Sequence, residues 1–328
     1  MPMLPFAVLN ADAAPITESF AEAVRGGLTR PQRELPSQYL YDEVGSALYE
    51  AITWLPEYGL SRADERLLAR HAHSLSRRLP DRLIVAELGS GSGRKTRPLL
   101  QALLDRATPI VYVPIDTSAS ALRQCRNELT SLNGLTMVTF ERSYLEGLRE
   151  AMICRPVDHG VLVLFLGSTL GNLERPAAET FLGEVRRILH PGDALLLGTD
   201  LEKPEARLLP AYDDPLGVTA AFNRNLLVRV NRELRSDFDL AQFRHDVRYD
   251  RAQRRIEMHL RSDRRQTVHI REVGLTCEFQ SGETIRTEAC HKFDLGELRD
   301  LARRSGFHTE AQWVDEEWPF AESLWVAV

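Results

Sequence analysis

The chain has 328 residues, of which 43% are hydrophobic and 27% charged, and a formal net charge of −6. This length accommodates one large domain or two ordinary ones, and the acidic balance argues against a nucleic-acid partner, which asks for a basic surface. No apolar run is long enough to span a bilayer, no basic segment followed by an apolar core opens the chain, and Cys125, Cys154, Cys277 and Cys290 are scattered without a C-x-x-C pair, so a cytoplasmic protein with reduced thiols and no membrane partner is expected.

In chain order, residues 1–62 read as helix and loop. Tyr39, Tyr41, Tyr49 and Tyr58 make up half of the eight tyrosines in the chain. A helix with its tyrosine tips in water accounts for the crowding; so does an aromatic-walled pocket for an ammonium group. His71-Ala72-His73 has the spacing of a ligand pair, but no Cys/His/Asp cluster accompanies it, so an exposed helix end is the better reading and no metal is expected.

From Leu83 to Asp200 short apolar runs alternate with helical patterns, the signature of an α/β fold with a parallel sheet. Strands are predicted at Leu83–Leu88, Ile110–Ile115, Leu135–Phe140, Val161–Leu166 and Ala194–Gly198. Helices are predicted at Arg94–Asp105, Ala119–Leu132 (with Ser118 as N-cap) and Arg175–Ile188. Residues 202–292 begin as helices and continue as alternating stretches at Arg255–Leu260, Thr267–Val273 and Leu275–Phe279, read as a smaller sheet. A helix at Leu295–Ser305 and an antiparallel pair at His308–Val314 and Ser323–Val328 bring the chain back to the first sheet. The expected division is thus 63–201 with 293–328, against 1–62 with 202–292.

The first strand ends in Glu87-Leu88-Gly89-Ser90-Gly91-Ser92-Gly93, and the second ends in Asp116. Glycines between a strand and a helix let backbone N–H groups approach a ligand, and an acid at the next strand end suits a ribose diol. Arg94 stands where a phosphate-binding P-loop needs glycine, and the third glycine comes one residue too early for the dinucleotide fingerprint. The tighter spacing resembles motif I of class I S-adenosylmethionine-dependent methyltransferases. After the fourth strand, Gly167 and Gly171 leave room for close approach and Asn172 offers both a donor and an acceptor. Ser168 there also reads as an ordinary helix cap.

Further stretches carry a closer resemblance. Tyr41-Asp42-Glu43-Val44-Gly45-Ser46, Leu55-Pro56-Glu57-Tyr58, Phe165 to Leu173, Leu197-Gly198-Thr199-Asp200-Leu201, Ala211-Tyr212-Asp213-Asp214, Gly217 to Asn225, Arg255-Ile256-Glu257-Met258 and Lys292-Phe293, together with the glycine loop, resemble the histidine Nα-methyltransferases of ergothioneine biosynthesis over nearly the whole chain. The resemblance implies a class I, Rossmann-like methyltransferase sheet with a smaller α+β domain built from the N-terminal segment and an insertion. It implies S-adenosyl-L-methionine as cofactor and trimethylation of L-histidine to hercynine by a monomer. Carried over residue by residue, it places the cofactor on Gly89, Gly91, Lys95, Asp116, Ser143 and Tyr144. Histidine is placed on Tyr58, Gly167, Thr169, Asn172, Tyr212, Met258, Glu288 and Cys290, with Tyr41 and Tyr58 at the reacting amine. Asn172 and Tyr212 then hold the α-carboxylate and amino end, Glu288 accepts the imidazole N–H, and Met258 limits the size of the ring.

The chain departs from the family pattern at two places. Ser143-Tyr144 stands where an Asp-Phe pair is usual, so the adenine amino group meets a hydroxyl without charge assistance. Cys290 stands where serine is usual, a weaker hydrogen-bond partner for the substrate. Another aromatic amino acid as substrate, a catalytically silent cofactor-binding protein and a dinucleotide-dependent oxidoreductase remain the alternatives. No strong base is evident, and the amine proton is expected to leave to water by way of Tyr41 or Tyr58.

Overall fold

The structure, a computed structural model, describes residues 19–106 and 110–328, so the expectation of helix and loop at residues 1–18 lies outside the described residues. The apolar runs read from the sequence assemble into an eight-stranded sheet. Its main path runs Phe307–Val314, Phe320–Ala327, Ala194–Asp200, Gly160–Phe165, Leu83–Leu88, Ile110–Asp116 and Leu135–Met137. The strands from Ala194 to Met137 along this path pair in parallel, and the final two strands of the chain close the other edge antiparallel. This is a class I methyltransferase sheet.

Side chains on a strand alternate between faces, and Leu83–Leu88 shows it. Leu83 and Val85 enter a core with the helices Gly59–Ser76, Arg97–Leu104 and Ala119–Leu129, while Ile84, Ala86 and Leu88 enter another with Tyr144–Ile153, Arg175–Ile188 and Leu295–Arg304. Burial on both faces explains why the strand is apolar at every position but one, Glu87.

Four predicted elements need correction. The strand read at Leu135–Phe140 is two short pieces, Leu135–Met137 and Phe140–Glu141, both paired to Ile110–Asp116. It lies at the sheet edge, where no second neighbour holds it in register. The helix read from Arg94 starts at Arg97, with a proline in its first turn, because the Thr96 hydroxyl is bonded to Glu87. Ser168 is no helix cap: its hydroxyl accepts the Asp200 N–H at 2.9 Å. The smaller sheet is also composed differently. Its order is Arg33–Glu34, Thr284–His291, Arg255–Ser262 and Phe243–Asp250, whereas Gln266–Ile270 and Leu275–Phe279 form a separate hairpin, turned by Arg271–Val273 and a left-handed Gly274 (φ 59°).

The helices Glu43–Thr53 and Val218–Leu234 pack into one core with this sheet. Asp42 caps the first through Gly45 N at 2.8 Å and accepts Asn225 Nδ2 of the second at 2.7 Å. Where the chain returns to the large sheet, Leu201 and Phe293 form a parallel bridge, and Phe293 N donates to Asp200 O at 3.1 Å.

At the carboxyl end of Leu83–Leu88 the glycine loop turns through left-handed backbone: φ is 76° at Gly89, 53° at Gly91 and 72° at Gly93. A Cβ on Gly93 would lie 2.7 Å from Cys125 Sγ, whereas one on Gly91 would have no neighbour within 4 Å. Gly93→Ala is therefore expected to lose about 1–3 kcal/mol of stability to strain and overlap, and Gly91→Ala about 1 kcal/mol for backbone strain alone. Urea denaturation of both variants tests this; equal losses would contradict the packing role given to Gly93.

Candidate active site

A cleft of about 950 Å³ opens at the carboxyl ends of the parallel strands, the usual ligand position in open α/β sheets. Every residue assigned to cofactor or substrate from the sequence lines it.

At one end lies the glycine loop. The open space at Gly91, with its left-handed backbone, is a cradle that fits the close approach of a cofactor. Glu87 does not face the cleft. It is buried beneath the loop, where its carboxylate accepts Thr96 Oγ1 at 2.8 Å and the Tyr112 hydroxyl at 2.5 Å; burial pushes its carboxyl up to about 7, against the pull of those donors and Lys95. Asp116 holds the loop from the next strand, accepting Gly91 N at 3.1 Å and Ser118 N at 2.9 Å. Its oxygens keep lone pairs for a diol.

Lys95 lies at the middle of the cleft. Burial disfavours its charge, but Asp64 more than offsets this and raises its pKa. The same Asp64 oxygen accepts Lys95 Nζ and Gly167 N, each at 3.0 Å, so one buried carboxylate ties the glycine loop to the loop after the fourth strand. In that second loop Gly167 and Ser168 are both left-handed (φ 70° and 60°). Left-handed backbone is strained for a non-glycine residue, and the Ser168–Asp200 bond is one contact that holds it.

Ser143 differs from expectation in its partner. Its hydroxyl donates to Glu146 Oε2 at 2.5 Å. With its proton committed to a carboxylate, the oxygen presents only lone pairs elsewhere, and the anion polarises it. Glu146 thus places a carboxylate directly against the Ser143 hydroxyl.

The other end is built by the small sheet. Arg286 pairs with His259 and Glu288 with Met258, so Thr287 is one residue extra. Such a bulge turns every following side chain to the opposite face. Ile285 and Cys290 consequently share the inner face with Met258, and Glu288 joins them at the cleft. Without the bulge Glu288 would share the outer face with Arg286. Thr287 Oγ1 donates to Met258 O at 3.0 Å and pins the irregularity. Asn172 Nδ2 reaches Glu288 Oε1 at 3.3 Å from the large sheet's side.

The tyrosines gather as a chain of edge-to-face rings. Tyr41–Tyr49, Tyr49–Tyr58 and Tyr58–Tyr212 have centroids 5.4, 6.4 and 6.1 Å apart, with Phe222 5.5 Å from Tyr41. Tyr39 is not in this group; it packs on Phe20 at 4.7 Å. Burial raises the hydroxyls of Tyr41, Tyr58 and Tyr212 well above their ordinary value, so all three are neutral phenols. They donate and accept hydrogen bonds but do not take up a proton as phenolates. His71 stacks on Trp313 at 5.3 Å.

Three contributors escaped the sequence reading. Phe222 lies on Val218–Leu234 among the buried Leu226, Leu227, Val230 and Leu234, so its sequence signal is that of an ordinary core residue. Glu146 follows Ser143 by three, the spacing of a capping pair. Lys292 is fully buried, with Nζ 2.8 Å from the Tyr212 hydroxyl and 2.8 Å from Asp200; a lysine inside an apolar sheet-to-helix return was the available signal.

With this geometry in place, the comparisons with known proteins have a clear meaning. The family described as "Histidine-specific methyltransferase, SAM-dependent" matches residues 20–327. The chain belongs to this family. The methyltransferase is 41% identical over 311 residues to the histidine N-alpha-methyltransferase of Mycobacterium tuberculosis (strain CDC 1551 / Oshkosh), an alignment covering 92% of each chain. It is 39% identical over 318 residues to the protein of the same name from Mycolicibacterium smegmatis, covering 96% of this chain and 97% of the relative. It is also 33% identical over 199 residues to ergothioneine biosynthesis protein 1 of Neurospora crassa, covering 61% of this chain and 23% of that longer one. The cofactor is S-adenosylmethionine. Among the described residues no helix is long and apolar enough to cross a membrane.

Burial pushes the Glu288 carboxyl up from 4.5 to about 7, with Lys292 opposing. Between these values the folded protein holds a proton that the unfolded chain releases, so raising the pH favours unfolding. Glu288→Gln is therefore expected to gain stability relative to wild type between pH 5 and pH 8, on the order of 2 kcal/mol. Urea denaturation at the two pH values measures it, and a difference independent of pH would show a carboxylate ionised throughout. For the cofactor end, Glu146→Ala is expected to weaken S-adenosylhomocysteine binding by about threefold to tenfold, read by calorimetry; unchanged affinity would remove Glu146 from the adenine side.

Proposed function

We propose that this methyltransferase transfers three methyl groups in succession to the α-amino nitrogen of L-histidine, giving hercynine. One observation carries the reading: Asn172 and Glu288 meet beside Met258, facing the buried tyrosines, in the same cleft as the glycine loop. An acid that accepts an imidazole N–H, a flexible apolar side chain against the ring and a wall of neutral phenols around an amine suit histidine.

When bound, S-adenosylmethionine supplies a methyl group activated on a sulfonium. Gly89, Gly91 and Lys95 would hold its amino-acid portion, Asp116 its ribose diol, and Ser143 and Tyr144 its adenine. Asn172 and Tyr212 grip the substrate's carboxylate and amino end. Gly167 and Thr169 border that grip, and Cys290 lies beside Glu288 at the imidazole. Tyr41 and Tyr58 accept hydrogen bonds from the amine and so aim its lone pair along one line, which is the main demand of an in-line displacement. Because both phenols are held neutral, the amine proton passes to water. As methyl groups replace N–H bonds these hydrogen bonds vanish, and the ring faces hold the growing cation by cation–π attraction.

The proposed division of labour places the cofactor on residues 63–201 and 293–328 and most substrate contacts on residues 1–62 and 202–292, with Gly167, Thr169 and Asn172 reaching the substrate from the first group. A cleft lined by residues of one chain requires no second subunit for this reaction. One feature favours a second substrate, another aromatic amino acid: the Cys290 thiol already engages Tyr212 and Lys292 and is a weak partner for imidazole.

Incubation with S-adenosylmethionine and the twenty amino acids, followed by mass spectrometry, should show one, two and three added methyl groups on histidine alone. No histidine product would refute the reading. Asn172→Ala should raise KM for histidine by at least about tenfold, and an unchanged KM would remove Asn172 from the carboxylate.

A further inference from the structure

Behind Tyr212 lies a buried charge group to which methyl transfer assigns no task. Lys292 Nζ lies 2.8 Å from Asp200 Oδ2, 2.8 Å from the Tyr212 hydroxyl and 3.3 Å from Cys290 Sγ. The other Asp200 oxygen is taken by Lys203 Nζ at 2.6 Å and by the Trp318 indole N–H at 2.9 Å. All three charged side chains are buried. One carboxylate therefore serves two ammonium groups in a place from which water is excluded. Buried charge is costly unless it is compensated, and beyond Asp200 the carboxyl that feels Lys292 is Glu288, whose charge burial disfavours.

The hydroxyl of Tyr212 is constrained by the same contact. An ammonium has three N–H donors and no lone pair, so the Tyr212 oxygen can only accept from Lys292. Its own proton must point elsewhere. The partner it has is Cys290 Sγ at 3.2 Å, a weak acceptor. A carboxylate arriving in the cleft is a far stronger one.

We propose that Lys292 is a positioning residue that makes Tyr212 an obligate hydrogen-bond donor toward the cleft and, with Asp200 and Lys203, supplies an excess of positive charge that selects an amine carrying a neighbouring carboxylate. The proposal rests on the reading above in which Tyr212 meets the substrate's α-carboxylate. Lys292 acts through Tyr212 and does not itself touch the substrate. The arrangement also makes the test practicable, since Lys292→Met leaves Asp200 paired with Lys203 and strands no charge.

The experiment compares L-histidine with L-histidinamide, which keeps the amine and imidazole but lacks the carboxylate. It uses the full chain, Lys292→Met, Tyr212→Phe and the double variant, with calorimetric binding of S-adenosylhomocysteine to verify folding. Lys292→Met should raise KM for histidine by at least about tenfold, more than it lowers kcat, and leave KM for histidinamide within about threefold. The double variant should be no worse than Tyr212→Phe, because both changes remove one interaction. Lys292→Gln guards against misfolding: its amide oxygen lets the Tyr212 proton turn inward, so the same loss of preference is expected although the bonding space is filled. Equal losses for histidine and histidinamide, or additive effects in the double variant, would overturn the proposal and leave Lys292 a structural residue. If the wild-type protein methylates histidine but Tyr212→Phe leaves its KM unchanged, the assignment of Tyr212 fails and the proposal fails with it. If it makes no methylated histidine, the functional reading itself has failed.

Discussion

The ion pair between Asp200 and Lys292 joins the two halves of the molecule. Asp200 ends the last parallel strand of the large sheet, and Lys292 directly follows the strand Thr284–His291 of the small one. Their contact sits beside the Leu201–Phe293 bridge, so the strand carrying Glu288 and Cys290 approaches the carboxyl ends of the parallel strands at one fixed place. A charge pair buried this deeply contributes little net stability against an apolar alternative. Its value lies in geometry, because a misaligned pair would leave the Lys292 ammonium bare and out of water.

The two ends of the cleft are built by different physics. The cofactor end is local. A strand, a glycine turn and a helix form from contiguous residues, and Glu87, Thr96 and Tyr112 brace the turn from below. The other end is assembled from distant pieces: tyrosines near residue 50, Asn172 after the fourth strand, Tyr212 and Phe222 on two helices, and Glu288 on a strand of another sheet. Asp64 links the two ends through Lys95 and the Gly167 amide. The glycine loop and the loop after the fourth strand thus share one buried anion.

The bulge at Thr287 has a comparable role on a smaller scale. A one-residue irregularity determines whether an acid faces the cleft or the outer side of the sheet, and the neighbouring strand shows the regular alternative. On Arg255–Ser262, Ile256, Met258 and Leu260 alternate strictly inward. The inner face of the small sheet is therefore regular on one strand and deliberately offset on the next. The offset brings Met258 and Glu288 to the same face of the sheet.

Much of this was legible in the residues. Runs such as Leu83–Leu88 declare themselves because burial on both faces leaves few polar positions, and the spacing of Gly89, Gly91 and Gly93 specifies its own backbone. Other elements hid for physical reasons. Tyr144–Ile153 contains Gly147, a poor helix former, placed there because a Cβ would lie 2.4 Å from Ile115. Phe243–Asp250 looks polar because Arg244, Asp246, Arg248 and Asp250 occupy its outer face, although Phe243, Val247 and Tyr249 keep the period of two toward the core. By itself the sequence determined the parallel sheet, the nucleoside-cofactor loop and, through a spread of matching stretches, the family. Only the tertiary structure decided that Thr287 is bulged, that Tyr39 leaves the ring cluster and that Lys292 stands behind Tyr212. These depend on which strand pairs with which and in what register, and no local spacing encodes a contact made across 80 residues.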